Sequence, residues 1–331
     1  MFDRCVCGRV TGVRTVAAVA ALLVLATGVT GCRLDAGGES APTAGGGAIV
    51  LEAEQWWLPN RPRGERFDAS GLVRTATGEL LTINDQSPGV WRLVFHEEQR
   101  SVDLVAWPDV LTPSQRQTLA AEKSLRWDCE GLALDERGRL YVCEEANRWI
   151  LRWDPALRSF ERLAIDWTPV RRYFHPSDLN ASFEGVAVHG DRLYVANERQ
   201  TGRIIVVDLN TLKVVDDFAV APGGSEPRDP HYSDLCWADG ALWVLMRDVR
   251  QVLKVDPTEK QVLAEFDYAA MERAQDVAYG VLYTPGFMEG IAVDERYIWL
   301  VSDNNGMGRR RASQDARPTL FRCLRPDRKG R

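Results

Sequence analysis

One pattern constrains this chain more than any other: a strand–turn–strand unit written five times. ASGLVRTATGELLTIND from Ala69, CEGLALDERGRLYVCEE from Cys129, FEGVAVHGDRLYVANE from Phe183, YSDLCWADGALWVLMRD from Tyr232 and MEGIAVDERYIWLVSD from Met288 align with one another. Each alternates apolar and polar residues, turns through Gly, Asp or Asn, and ends in an acid or amide, which is the signature of a hairpin. A third strand follows each unit (VWRLVF, WILRWD, RIIVVDL, QVLKVD, TLFRCL), and a fourth follows the first four (VDLVAW, FERLAI, VVDDFAV, VLAEFDY). Four antiparallel strands repeated at this period predict an all-β fold, a five-bladed β-propeller.

The fifth unit lacks a fourth strand before the chain ends at Arg331. The unassigned strand Ala48 to Glu54 (AIVLEAE) is expected to supply it and close the ring. A six-bladed ring, with a degenerate unit in 268–285, is the alternative, although that segment reads as a helix plus loop. Short helical insertions fall between blades. Thr112-Pro113-Ser114-Gln115 is a capping box with Pro at the first helical position. The long insertions all return to the end where the first strand of each unit begins, so that face is expected to bind something.

Residues 1–31 read as an export signal: Arg4, Arg9 and Arg14, then an apolar run from Val16 to Val29 too short to span a bilayer. Val29-Thr30-Gly31-Cys32 resembles the bacterial lipobox, with Cys32 as the lipidated residue. Residues 32–47 form a Gly/Ala/Ser/Pro tether, and 48–331 the propeller domain. The chain is thereby expected in the cell envelope, held to the periplasmic or outer-membrane face or the cell surface by lipid alone, and monomeric. The whole chain carries −6, and the first 31 residues +2 (three Arg, one Asp), leaving −8, which argues against a nucleic-acid partner. Cys129 and Cys143 lie on two arms of one hairpin. A bridge is conceivable, and free buried thiols are the expectation.

The residue that opens each first strand is Ser70, Glu130, Glu184, Ser233 and Glu289, at intervals of 60, 54, 49 and 56 residues. The innermost strand of a blade lines the channel, so three carboxylates and two hydroxyls are expected to converge on one axis. Ionised carboxylates at close range repel, and a cation between them relieves this. Oxygen ligands suit a hard cation, and calcium takes about 6–8 of them. Ser233 is followed by Asp234 rather than Gly, so glycine itself is not expected to be what the repeat keeps.

These repeats resemble the phytase-like domain of the family named for esterase-like activity of phytase, over roughly Phe67 to Arg325. The order Ser, Glu, Glu, Ser, Glu also resembles the calcium-activated nucleotidases, or apyrases. That resemblance implies Ca2+ as the cofactor, with Ser70, Glu130, Glu184, Ser233 and Glu289 as ligands. It also implies that Arg199 and Arg247 bind substrate phosphate and that Asp85 orients or deprotonates water. Arg171, Arg172 and His175, in one insertion, are candidate substrate contacts. The Arg309-Arg310-Arg311 run is expected to be a solvated loop. No nucleophile elbow, P-loop or zinc-protease helix is present. Two functions remain: a hydrolase of small phosphorylated or other ester substrates, which is preferred, and a non-catalytic binding propeller with structural calcium.

Overall fold

Alternation along each strand gives two apolar faces, and a sheet with two such faces must be covered on both. In the computed structural model, which describes residues 47–61, 64–120, 128–178, 180–224, 229–280 and 286–328, five sheets solve this by packing face to face around an axis. The chain enters through β1 (Ile49–Val50) and β2 (Ala53–Pro59). Blade I is β3 (Ala69–Arg74), β4 (Leu80–Asn84), β5 (Val90–His96) and β6 (Ser101–Ala106). Blade II is β7 (Cys129–Leu134), β8 (Leu140–Glu144), β9 (Trp149–Asp154) and β10 (Ser159–Arg162). Blade III is β11 (Phe183–His189), β12 (Arg192–Asn197), β13 (Arg203–Asp208) and β14 (Lys213–Phe218). Blade IV is β15 (Tyr232–Ala238), β16 (Ala241–Met246), β17 (Gln251–Asp256) and β18 (Gln261–Asp267). Blade V is β19 (Met288–Val293), β20 (Tyr297–Ser302) and β21 (Leu320–Leu324), completed by β2.

Blade V closes as expected in kind but not in place. The outer strand is Ala53–Pro59, not Ala48–Glu54. It runs antiparallel to β21, with Trp57 opposite Leu320, and then parallel to β6 at Leu58 and Pro59. Ile49 and Val50 instead run parallel to the end of β18. No sixth blade forms. Segment 268–285 begins with a one-turn helix, α2 (Ala269–Glu272), and adds no strand among its described residues. The helix α1 (Pro113–Ala120) has the expected cap. Thr112 N–H donates to Gln115 Oε1 at 2.8 Å, and Gln115 N–H to Thr112 Oγ1 at 3.4 Å.

The core is divided into five interblade layers. Between blades II and III, Tyr141, Cys143 and Ile150 meet Leu193, Val195 and Ile205. Between III and IV, Tyr194, Ala196 and Ile204 meet Leu242, Val244 and Leu253. Successive residues of β12 thus serve opposite neighbours, as a two-residue period requires. The four propeller cysteines are free thiols.

The inner strands β3, β7, β11, β15 and β19 each touch the next and close a ring. Glycine matters here, contrary to the expectation drawn from Asp234. A Cβ on Gly131 would stand 2.7 Å from the Gly185 Cα, and one on Gly185 only 2.5 Å from the Asp234 Cα. The backbones are too close for side chains, and the fifth position has Asp234 in the space left by the others. Its Oδ2 accepts the Ile291 amide at 2.9 Å and lies 3.5 Å from the Leu72 amide.

The signal segment, Cys32 and the tether to residue 46 lie outside the described residues, and no described helix is long and apolar enough to cross a membrane.

Candidate metal centre at the channel mouth

Three equivalent positions per blade bring polar side chains to one end of the channel. The first opens the inner strand: Ser70, Glu130, Glu184, Ser233 and Glu289, all buried. The second follows the end of the second strand: Asp85, Glu145, Glu198, Arg247 and Asp303. The third stands two residues before the first: Asp68, Asp128, Ser182, His231 and Phe287. In four blades the backbone ties the second position to the third. Amides of Asp85, Glu145, Glu198 and Asp303 donate to carbonyls of Asp68 (3.2 Å), Asp128 (2.7 Å), Ser182 (2.7 Å) and Phe287 (2.8 Å).

The carboxylates form a band. Within each of three groups the ligand atoms lie within 4.8 Å of one another: Asp68, Asp85 and Asp303; Asp85, Asp128 and Glu130; Glu145, Glu184 and Glu198. Asp85 belongs to two groups, so the band runs from blade V through I and II to III. Blade IV interrupts it, because Arg247 stands where the other four blades carry an acid. That guanidinium bridges to Glu198 on blade III and Glu289 on blade V. Glu198, fully buried, also receives Arg199 and His231.

Burial raises the proton affinity of these acids, and repulsion adds to it. Burial and Asp68 push Asp85 up to about 7. Burial, then Asp68 and Asp85, push Asp303 to about 8. Burial, then Glu184 and Glu130, push Glu145 to about 11. Burial pushes Glu184 to about 7, with Arg247 and Arg199 pulling the other way. Glu130 is raised by burial, then by Glu184 and Asp85. His231 is pushed down to about 4, by burial and then by Arg247, so it is neutral at pH 7.

The donors fit a hard cation. All are oxygens, and Asp85 Oδ1, Glu145 Oε1, Glu289 Oε2 and Ser233 Oγ are buried without a hydrogen-bond partner. The acidic clusters could therefore hold a metal. The five first-position residues do not share one environment, however. Glu130 adjoins Ser70 and Glu184, whereas Glu289 is engaged by Arg247.

The structure gathers Asp85, Arg199 and Arg247 at this mouth and gives the insertion residues other partners. Arg171 and Arg172 lie in a 3-10 turn, Thr168–Tyr173. Arg172 donates to the Pro169 carbonyl at 2.6 Å and pairs with Asp217 of the outer strand β14 at 3.5 Å. His175 Nδ1 accepts the amides of Ser177 (3.3 Å) and Asp178 (2.8 Å). Arg309 is a correction: far from solvated, it is buried, donating to the carbonyls of Val277, Arg317 and Pro318 and to Thr319 Oγ1. Asp68, Asp128, Glu198 and His231 were not foreseen as site residues. The signal for them was positional, each falling at a fixed offset from a residue that was.

The fold and this mouth define a five-bladed propeller with a buried carboxylate band at one end of its channel. The chain belongs to the phytase-like family described as esterase-like activity of phytase, which matches residues 68–306. No curated protein matches it in sequence. Among solved structures it is similar to glutaminyl cyclase from Myxococcus xanthus, with 15% identity, 83% of this chain and 97% of that chain covered, and a TM-score of 0.53. It is also similar to the PQQ-bound aldose sugar dehydrogenase from Streptomyces coelicolor, with 13% identity, 82% and 98% covered, and a TM-score of 0.44. The first likeness shows the fold alone.

Proposed function

We propose that this protein is an exported, lipid-anchored, calcium-dependent hydrolase of phosphate esters or anhydrides, working at the acidic mouth of its channel. The observation that carries this reading is the band of carboxylates meeting a guanidinium pair, Arg199 and Arg247, at its edge. Asp128, Glu130 and Glu184, with Ser70, are the residues that would hold calcium. When bound, the ion would supply a counter-charge and polarise a phosphoryl oxygen. Arg199 and Arg247 bind the remaining phosphate oxygens, since guanidinium forks match them in pairs. Asp85 has Oδ1 unbonded and Oδ2 held by Gln86 at 3.1 Å. It orients the attacking water and takes its proton at Oδ1.

One observation favours a second reading. Arg199 and Arg247 both already have carboxylate partners, as they would in a binding propeller whose calcium is structural. The experiment that separates the two is incubation of the purified protein with nucleotides, inositol phosphates and aromatic esters, with and without calcium. Calcium-dependent turnover of any phosphate substrate supports the hydrolase. Folded, calcium-loaded protein inert across the panel supports the binding module.

A further inference from the structure

Blade IV is the one blade with no acid at any of the three positions of the channel mouth. It has His231 where blades I and II have Asp68 and Asp128, Ser233 where three blades have Glu, and Arg247 where four have a carboxylate. The result is a notch of basic side chains in an acidic rim, and one residue organises it. Glu198 is wholly buried and takes Arg199 on Oε2, and Arg247 and His231 on Oε1. Its own backbone is fixed at both ends, donating to the Ser182 carbonyl at 2.7 Å and accepting from the Tyr232 amide at 3.0 Å.

From this geometry we propose that Glu198 is a positioning residue. It sets Arg199 and Arg247 side by side as a single clamp for a phosphoryl group, with His231 meeting the same carboxylate. This rests on the hydrolase reading for the substrate class, but the clamp itself is a property of the ligand-binding surface. Arg247 also meets Glu289, so two carboxylates face the two guanidiniums, and the clamp lies in the donors they leave over. Each guanidinium carries five N–H donors, and Glu198, with Glu289 on Arg247, occupies only part of each set. Arg247 Nε is buried with no acceptor at all. Arg199 keeps about a quarter of its side chain exposed, and its other carboxylate neighbour, Asp178, is 3.7 Å away. The free donors point to a ligand bearing several acceptor oxygens on one centre. A phosphoryl group meets that need, and a carboxylate, with two oxygens, offers fewer acceptors to two forks.

The test is calorimetric titration of the full-length protein in detergent with inorganic phosphate, and separately with calcium chloride, in wild type, Glu198→Gln, Glu198→Asp and Arg311→Ala. The expected result is a loss of at least about tenfold in phosphate affinity for Glu198→Gln, with calcium affinity and melting temperature kept. Partial rescue is expected in Glu198→Asp, and no change in Arg311→Ala, whose guanidinium pairs with Asp276 on the surface. If Glu198→Gln does not fold, Arg199→Lys carries the test. It keeps the charge but not the fork and should weaken phosphate binding similarly. Equal phosphate affinity in wild type and the folded variant overturns the clamp. A wild type that binds no phosphate yet hydrolyses a phosphate-free ester with calcium also overturns it, and leaves a metal-dependent hydrolase standing. Phosphate binding that is lost in Glu198→Gln, in a protein without turnover, supports the clamp and overturns the hydrolase.

Discussion

The Asp234 carboxylate on blade IV accepts the amide hydrogen of Ile291 on blade V at 2.9 Å, across the seam between two inner strands. It is fully buried and, among the described residues, forms no salt bridge. Burial pushes its pKa well up, while the amides of Ile291, Leu235 and Leu72 pull it down. The one side chain in the ring of glycines is therefore held by backbone amides of blade V (Ile291), of blade I (Leu72) and of its own strand (Leu235).

That arrangement makes Gly185 unforgiving. Gly185→Ala places a methyl 2.5 Å from the Asp234 Cα and 2.7 Å from the Leu235 nitrogen, both backbone atoms that cannot swing aside. Overpacking of this kind costs about 1–3 kcal/mol. The melting temperature should fall by roughly 2–12 °C, and thermal denaturation reads it directly. An unchanged midpoint would mean the inner strands are farther apart than described.

Calcium should raise the melting temperature of the wild type. Stabilisation by a ligand that binds only the folded state reaches about 2.7 kcal/mol at a hundredfold excess over Kd. Glu184→Gln removes a charge from the centre of the band and should cut that rise by more than half. Arg311→Ala should leave it intact. A differential scanning titration in which both variants respond alike would count against Glu184 as a ligand.

The pH dependence has a defined sign. Asp85 and Glu184 (about 7), Asp303 (about 8) and Glu145 (about 11) have folded-state values above their ordinary ones, so the folded protein binds more protons than the unfolded chain from about pH 4 up to about 11. Stability is then lost as pH rises through that window. His231, pushed down to about 4, acts oppositely, but only below about 6.5. Without divalent ions, melting should fall by roughly 5–10 °C between pH 6.5 and 8.5. Excess calcium should flatten the slope. Melting curves at four pH values, with chelator or calcium, measure it.

Truncation tests the closure. Deleting residues 33–46 should leave the melting temperature unchanged. Deleting on through Pro59 removes Trp57, which is fully buried, stacks on Trp299 at 6.0 Å and meets Phe95 edge-on at 5.0 Å. Loss of a buried Trp alone costs about 3–5 kcal/mol, and β21 and β6 would be left as bare edges. Soluble, equally stable proteins from both deletions would show that β2 is dispensable.

Anchoring is tested by Cys32→Ser. The expected product is an unlipidated precursor that stays in the aqueous phase on detergent partitioning. Partitioning identical to wild type would remove the lipid from the account.

The blades were legible because alternation and turn residues act locally. β3 to β21 need only near neighbours to be recognised. The closing strand was misplaced because the apolar run Ile49-Val50-Leu51 looks more strand-like than Gln55-Trp56-Trp57. What decides between them is the distant surface of β21 and β6. The site divides the same way. Position in the repeat predicted Ser70, Glu130, Glu184, Ser233 and Glu289, whereas Glu198 and His231 depend on how blades III and IV meet. Arg309 was misread because charge in a loop sequence says nothing about the four acceptors the fold builds around it.

The clasp formed by β2 also has a consequence for the order of events in folding. Trp57 pairs with Leu320, so the second strand to be synthesised waits for the last one. Blades I to IV contain their own four strands and can form as the chain emerges. Blade V and both of its seams cannot be sealed until the C-terminal strand is available. A loop spanning nearly the whole domain must then close, which is the slow kind of contact. The ring therefore completes last at the seam beside Glu289 and Ser70. The channel mouth, with Glu289 and Ser70 on either side of that seam, is assembled only in a finished molecule.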